Sequence, residues 1–288
     1  MPGRLPSPKR SRGARTASPG SRFGSAQAGA RFAFAVLAFG YAFLYLPIAL
    51  VIVYSFNESR LVTVWAGFST KWWSALFANE AMLSAAWLSL RIALVSATVA
   101  AVIGLAAGYA LARVPRFFGR TLFGSLVIAP MVMPEVVMGI SMLLLFVGSD
   151  QLLGGPARGF LTITVAHVTF SLAFVAIVVQ ARLADFDRTL EEAAMDLGAT
   201  RWTTFLTVTL PLIAPALVSG WLLAFTLSLD DLILTQFVSG AQSQTLPMRV
   251  YSSVRLGVDP QINVLATVIV VVAACALIFS GWLTRRKV

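Results

Sequence analysis

Long runs of apolar residues, separated by short polar segments, dominate the chain from residue 33 onward. An α-helix needs about 20 apolar residues to cross the roughly 30 Å hydrocarbon core of a bilayer. The pattern shows no ten-residue segments of alternating polarity, which are typical of the strands of membrane barrels. It therefore predicts an all-α, polytopic membrane protein with six transmembrane helices. The six runs are Ala33–Phe56, Ile92–Ala112, Leu122–Phe146, Phe160–Gln180, Leu212–Phe237 and Ile262–Trp282.

Composition supports the membrane assignment. Of the 288 residues, 58% are hydrophobic and only 12% are charged, whereas about 25% are charged in a typical soluble domain. The chain has one cysteine and one histidine. We therefore predict neither an intramolecular disulfide nor a metal site.

The basic residues predict an orientation. Most of the 22 Lys and Arg residues lie before the first run, between the second and third, between the fourth and fifth, or after the last. Because cytoplasmic loops carry an excess of Lys and Arg, both termini are predicted to be cytoplasmic. The net charge of +10 is explained by this topology and by attraction to anionic membrane lipid. Nucleic-acid binding is not predicted, because no soluble domain presents the charge.

Residues 1–31 are rich in Pro, Ser, Gly and Arg, a composition typical of disorder. We predict a disordered basic cytoplasmic tail over 1–31 and a six-helix transmembrane domain over 32–288. A cleaved signal peptide is not expected, because the following apolar run is too long and no small-x-small cleavage site follows it.

The segment between the fourth and fifth runs, residues 183–211, predicts a short helix, a turn and a second helix. Leu190–Leu197 contains good helix formers. Gly198 stands where a residue in the left-handed conformation would end that helix, and Trp202–Leu210 is a second amphipathic stretch.

The small side chains of Ala193, Ala194 and Gly198 would allow another protein to approach the first of these helices closely. The residues alone leave an alternative open, which is an ordinary amphipathic helix lying at the membrane interface.

The spacing Glu192-Ala193-Ala194, three residues, Gly198, nine residues, then Val208 to Pro211 resembles the EAA loop of ABC-importer permeases. That family usually has Ile at the position of Val208. The resemblance implies the type I ABC-importer permease fold, in which this loop forms a coupling helix seated in a groove of a separate ATPase. Residues 183–211 are called the EAA loop below. The ATPase-coupling residues that the resemblance implies are Glu191, Glu192, Ala193, Ala194, Asp196 and Gly198.

The resemblance extends from about Phe32 to the last run. Within the family, the chain is most similar to putrescine and spermidine permeases, and in particular to the second permease subunit of putrescine importers. Residues 1–31 are not part of this similarity. The segments that carry it are LVTVWAGFSTKWW (61–73), EEAAMDLGAT (191–200), SGWLLAFTLSLDDL (219–232) and FVSG (237–240).

This resemblance implies a transport subunit, not an enzyme, in an ATP-driven polyamine uptake system, with putrescine as the expected substrate. None of the three lysines, Lys9, Lys71 and Lys287, stands in a phosphate-binding G-x-x-x-x-G-K-[ST] motif. ATP and Mg²⁺ are therefore expected on a partner, and no cofactor on this chain. The chain itself is expected in the bacterial inner membrane. Its implied partners are two copies of an ATP-binding subunit, a second homologous permease and a periplasmic polyamine-binding protein.

Three carboxylates interrupt the apolar runs: Asp230 and Asp231 in the fifth, and Glu135 in the third. A charge within a membrane helix costs on the order of 2.5–3.5 kcal/mol even on the lenient insertion scale. We hypothesise that these acids line the pathway of a cationic substrate. If the fifth helix is continuous, the aspartates lie in its outer half and only one of them faces the pathway, since adjacent helical residues point about 100° apart. The alternative is that the pair caps a helix end or binds an arginine.

Pro130 and Pro134 predict a kink or break just before Glu135. Glu135 could then cap the resumed helix, because an acid is favoured at a helix N-terminus. This role is compatible with a broken helix that lines a cavity.

A cluster of aromatic residues occupies the predicted first periplasmic loop. Contact with the binding protein and anchoring at the membrane interface both remain open for these residues. They are Trp65, Phe68, Trp72 and Trp73.

Gly104 and Gly108 form a small-xxx-small pattern in the second run, which predicts close helix packing. Two other functions remain as alternatives to putrescine import. One is a permease of the same family for spermidine, another amine or an amino-acid derivative. The other is an ion-coupled secondary carrier, which would be expected to contain inverted repeats.

Overall fold

The computed structural model describes residues 20–62, 64–114, 116–155, 157–257 and 259–285, which are almost entirely helical. A π-helical turn over Phe205–Thr209 joins α8 to α9. Within the described residues, β structure is limited to a single isolated bridge between Asn57 and Phe68. The helices are α1 Gly20–Tyr54, α2 Lys71–Phe77, α3 Glu80–Arg113, α4 Arg120–Val132, α5 Glu135–Leu153, α6 Phe160–Ala184, α7 Thr189–Asp196, α8 Arg201–Thr204, α9 Leu210–Leu229, α10 Ile233–Val238, α11 Leu246–Leu256 and α12 Gln261–Arg285.

Five helical segments of the described chain are long and apolar enough to cross a membrane. They lie in α1, α3, α5 and α6, and in the stretch from α8 to the end of α9. Two further apolar helices, α4 and residues 261–275 of α12, are shorter. The helical membrane class is thus confirmed, whereas the number of six crossings stays a prediction.

Helix α1 begins at Gly20, within the segment predicted to be a disordered tail. The last proline of that segment is Pro19, and a helix already nucleated by the following apolar run can extend back through the Ala-containing residues 20–31. The predicted boundary at residue 31 therefore differs from the structure. Residues 1–19 lie outside the described part of the chain.

The core is formed by α3, α6 and α9, which pack together through small and branched side chains such as Ala97, Val175 and Ile213. Gly104 and Gly108 bring the backbone of α3 onto α6. A Cβ atom at Gly104 would lie 2.7 Å from Val175 Cβ, and one at Gly108 would lie 2.6 Å from the carbonyl oxygen of Ala176. This close approach confirms the packing role predicted for the two glycines.

The third apolar run is broken, as its prolines predicted. Helix α4 contains Pro130 and ends at Val132, Met133 is extended, and α5 resumes at Glu135 directly after Pro134. Proline has no amide hydrogen to donate, so the hydrogen-bond ladder cannot pass through Pro134 undisturbed.

The fifth run is also broken, so the fifth helix is not continuous. Helix α9 ends at Leu229 and α10 begins at Ile233, with Asp230 and Asp231 between them. The carboxylate of Asp231 accepts hydrogen bonds from backbone amides at the start of α10. This side-chain capping competes with continuation of the helix and explains the break.

Replacement of Gly108 by leucine should destabilise the protein. The added side chain would collide with the backbone of α6, and overpacking of this kind costs about 1–3 kcal/mol. Thermal unfolding of the purified protein in detergent, followed by tryptophan fluorescence, would measure the effect. Gly148→Leu is the matched control, because a Cβ at Gly148 meets no atom within 4 Å. Equal melting temperatures for the two variants would contradict the packing role of Gly108.

Candidate functional site

Helix α7 of the EAA loop ends at a glycine in the left-handed conformation. Gly198 has φ +92°. Its amide donates a hydrogen bond to the carbonyl of Met195 (2.9 Å), and the amide of Ala199 donates one to the carbonyl of Ala194 (3.1 Å). These two bonds form a Schellman motif, which satisfies the last carbonyls of the helix. The end of the helix is therefore the one that the sequence predicted.

Most of the residues expected to couple to an ATPase lie on the outer surface of the EAA loop. Glu192, Ala193, Asp196 and Gly198 are exposed, and Ala194 is half-buried. A Cβ atom at Gly198 would meet no atom of this chain within 4 Å. The surface is thus open to close approach by another protein, and its contact with an ATPase stays a prediction.

A local hydrogen bond fixes the start of α7. The amide of Thr189 donates to Asp187 Oδ1 at 3.0 Å, and this bond holds the pKa of the Asp187 carboxyl below its usual value. A lowered carboxyl pKa means that the bond contributes stability at neutral pH. That contribution is lost only as the pH falls through the lowered pKa. Small changes of pH near 7 therefore do not alter the contribution of Asp187 to the stability of α7.

Glu191 lies on the inner side of α7, which differs from the expected contact with an ATPase. Its Oε2 atom is 3.1 Å from Arg113 Nε, and its Oε1 atom accepts a hydrogen bond of 2.7 Å from Thr209 Oγ1. The side chains of Arg113 and Glu191 are only 7% and 13% exposed. The pairing draws Glu191 inward because Arg113 ends α3 next to it. Glu191 thereby ties α7 to α3 and to the entrance of α9.

Asp231 is held within the protein by α10 and α6. The amides of Leu234 and Thr235 donate to its carboxylate at 3.2 and 2.7 Å, and Thr235 Oγ1 donates at 2.6 Å. His167 Nε2 of α6 lies 3.2 Å from Asp231 Oδ2. The alternative considered from the sequence, a carboxylate that caps a helix end, therefore describes Asp231.

A buried polar network surrounds this cap, and His167 of the fourth apolar run is an interhelical hydrogen-bond partner in it. His167 Nδ1 lies 2.6 Å from Ser228 Oγ, and Ser96 Oγ donates to the same hydroxyl at 2.9 Å. All three side chains are buried. The network joins α3, α6 and α9 at the level of the break, and its signal in the sequence was isolated Ser and His residues in apolar runs.

Asp230 has a different environment from its neighbour. It follows the last residue of α9, is exposed, and its amide donates to the carbonyl of Thr226. Among the described residues, no other residue donates a hydrogen bond to its carboxylate. The two adjacent aspartates thus separate into a capping residue, Asp231, and an open carboxylate, Asp230.

Glu135 is the first residue of α5 and is exposed. One turn later, Met138 packs against Leu234 and Val238 of α10. The breaks in the third and fifth runs therefore adjoin each other. Among the described residues, the three acids do not come together as a group that could hold a metal ion.

The aromatic residues of the loop after α1 pack largely on one another. Trp73 and Phe68 both stack on Phe56, with centroid distances of 5.3 and 5.4 Å, and Trp65 meets the edge of Tyr54 at 6.0 Å.

The predicted aromatic set divides by exposure. Trp72 and Trp73 also pack on Leu265 and its neighbours, whereas Trp65 and Phe68 remain exposed. Of the four residues, Trp65 and Phe68 are therefore the ones accessible to a partner.

Comparison with known proteins identifies the family to which the chain is similar. Residues 100–287 match the family "Binding-protein-dependent transport system inner membrane component". The putrescine transport system permease protein PotI of Escherichia coli strain K12 is 55% identical over 235 residues, which cover 81% of this chain and 84% of that protein. The spermidine/putrescine transport system permease protein PotC of the same strain is 43% identical over 247 residues, 86% and 91% of the two chains.

The fold also matches a solved structure. A chain of a bacterial ABC transporter involved in the import of the acidic polysaccharide alginate superposes with a TM-score of 0.66. The alignment covers 94% of this chain and 99% of that one, at 17% identity, and therefore shows a shared fold only. Together with the match over residues 100–287, these similarities show that the chain belongs to the family of binding-protein-dependent transport system inner membrane components.

Proposed function

We propose that this chain is the transmembrane permease subunit of an ATP-driven polyamine importer, with putrescine as its substrate. The observation that carries the proposal is 55% identity to a putrescine permease over 81% of the chain. Spermidine is the second candidate substrate, because a spermidine/putrescine permease is 43% identical over 86% of the chain.

Asp230 is the residue that we assign to the substrate pathway. Putrescine carries two ammonium groups, and a carboxylate left without a protein partner at membrane depth suits such a cation. Asp231 does not have this freedom, since hydrogen bonds from α10 occupy its carboxylate. Glu135 lies exposed at the adjoining helix break and would provide a second acid for the other ammonium group.

The EAA loop is the surface that we assign to the ATPase. Glu192 would make a polar contact, while Ala193, Ala194 and Gly198 would pack closely against the ATPase groove, with Asp196 at the edge. The pairing of Glu191 with Arg113 and Thr209 would then transmit movement of the loop to α3 and α9. ATP and Mg²⁺ would be bound by the ATPase and not by this chain.

The complete importer in this proposal contains two permeases, this chain and a homologue, together with two ATPase copies and a periplasmic polyamine-binding protein. Both termini and the EAA loop face the cytoplasm, as the distribution of basic residues suggests. Trp65 and Phe68 then face the periplasm, where the binding protein would dock. Closure of the ATPases would open the outer cavity, and ATP hydrolysis would reset it.

The two aspartates should respond differently to substitution. Asp230→Asn should reduce uptake of radiolabelled putrescine by at least about tenfold, because a hydrogen bond to a charged group contributes about 1.5–3 kcal/mol, and should leave the melting temperature unchanged. Asp231→Ala should lower stability by about 1 kcal/mol or more through loss of the cap. Uptake and thermal unfolding are measured on the same assembled variants. Normal uptake by Asp230→Asn would remove Asp230 from the pathway.

Gly198→Trp should abolish transport and association with the ATPase, because a bulky side chain would stand on the contact surface. Co-purification of the ATPase and putrescine uptake provide the two readouts. Gly119→Trp is the control, since Gly119 also has positive φ (+78°) and open space around its Cβ position and therefore suffers similar strain. Survival of both readouts in Gly198→Trp, or equal losses in the two variants, would argue against the assignment.

A further inference from the structure

A cavity of about 950 Å³ lies between α3, α7, α8 and the π-helical turn. One wall is the last third of α3, from Val102 to Val114, and the facing wall includes Trp202 and Phe205. The cavity lies where the EAA loop meets the end of α3 and does not include Ala193, Ala194 or Gly198, the small residues assigned to the ATPase contact.

The polarity of the cavity changes along α3. Val102, Leu105 and Ala106 give an apolar lining at one end, and Arg113 lies at the other. The twelve residues from Val102 to Arg113 rise about 17 Å along the helix. This length matches one leaflet, which is half of a roughly 30 Å hydrocarbon core together with the start of the headgroup region.

Arg113 forms the charged end of the cavity wall. Its side chain is only 7% exposed, and its Nε atom is paired with Glu191. Its guanidinium group also lies over the ring of Phe186, 5.4 Å from the ring centroid. The position of this positive charge is therefore fixed by contacts within the chain.

The charges around the cavity favour an anionic acceptor. Arg188 and Arg201 line the cavity together with Arg113, and Arg188 Nη2 donates to the carbonyl of Ala112 at the end of α3. The acids in the lining are Glu191, which is paired with Arg113, and Glu192, which is exposed. Since Arg113 and Glu191 neutralise each other, the guanidinium groups of Arg188 and Arg201 face one carboxylate, and the net charge of the lining is positive.

We propose that this cavity binds one anionic phospholipid from the leaflet on the side of the EAA loop. The phosphate would lie among Arg113, Arg188 and Arg201, and an acyl chain would lie along Val102 and Leu105. Basic pockets beside membrane helices bind anionic headgroups in this way. An acidic peptide from a partner is less well matched, because the apolar end of the cavity lies within an apolar stretch of α3 at hydrocarbon depth.

The bound lipid would reinforce the junction between the EAA loop and the spans. Arg113 belongs both to the lipid site and to the ion pair with Glu191. Arg188 directly precedes α7, and its Nη2 atom donates to the carbonyl of Ala112 in α3 at 3.2 Å, so a phosphate that holds Arg188 would keep this second link between α7 and α3 in place. The lipid would thus stabilise the attachment of α7 to α3.

The test uses the purified full-length chain in phosphatidylcholine nanodiscs that contain a photoactivatable phosphatidylglycerol, with cross-links mapped by mass spectrometry. In the wild type, cross-links should fall on 102–114 and 201–209, and unlabelled phosphatidylglycerol should compete whereas phosphatidylcholine should not. Arg188→Gln combined with Arg201→Gln should lower the apparent affinity about thirtyfold, since each basic side chain near a membrane surface contributes about a factor of five. Retention of folding is checked by thermal unfolding.

The matched control is Arg116→Gln combined with Arg182→Gln. It removes two exposed positive charges from the same predicted side of the membrane but outside the cavity lining. Labelling of this control should equal that of the wild type. Equal labelling of the two double variants, cross-links outside the cavity, or exclusion of the lipid by a partner peptide in the assembled importer would each overturn the proposal. None of these readouts depends on which solute is transported.

Discussion

The structure depends on the requirement that polar groups within the hydrocarbon find partners inside the protein, because the bilayer core contains no water to satisfy them. The break between α9 and α10 meets this requirement. Asp231 accepts hydrogen bonds from the amides of Leu234 and Thr235, and His167 links Asp231 to Ser228. The interrupted backbone is thus stabilised from α6 as well as from its own segment. Asp230 takes no part in this cap and is exposed.

A second polar junction, at the C-terminal end of α3, connects the EAA loop to the core. Arg113 and Thr209 hold Glu191, so that α7 is attached both to α3 and to the turn that leads into α9. Helices α3 and α9 both pack against α6 in the core. A force on the outer surface of α7 would therefore reach the helices that surround the broken fifth run. The proposed lipid site would stabilise the same junction from the membrane side.

The sequence predicted the ends of helices that are set by a single residue. The prolines at 130 and 134 predicted the break before Glu135, and the position of Gly198 predicted the end of α7, because both effects arise from the backbone of the residue itself. The sequence left open whether the fifth helix is continuous, since hydropathy alone does not show which side chain caps a new helix. The inward position of Glu191 was missed because its partners, Arg113 and Thr209, are distant in sequence.

The amino-acid sequence by itself determined the helical membrane class, the family resemblance through the EAA loop, and the small-residue face at Gly104 and Gly108. These follow from the length of apolar runs, from residue spacing and from side-chain size. Only the tertiary structure decided which of two adjacent aspartates stays open, which of the proposed coupling residues face outward, and which basic side chains line the cavity beside α7. Each of these features depends on contacts between side chains of different helices. Hydropathy and residue spacing do not show which residues that are distant in sequence come into contact.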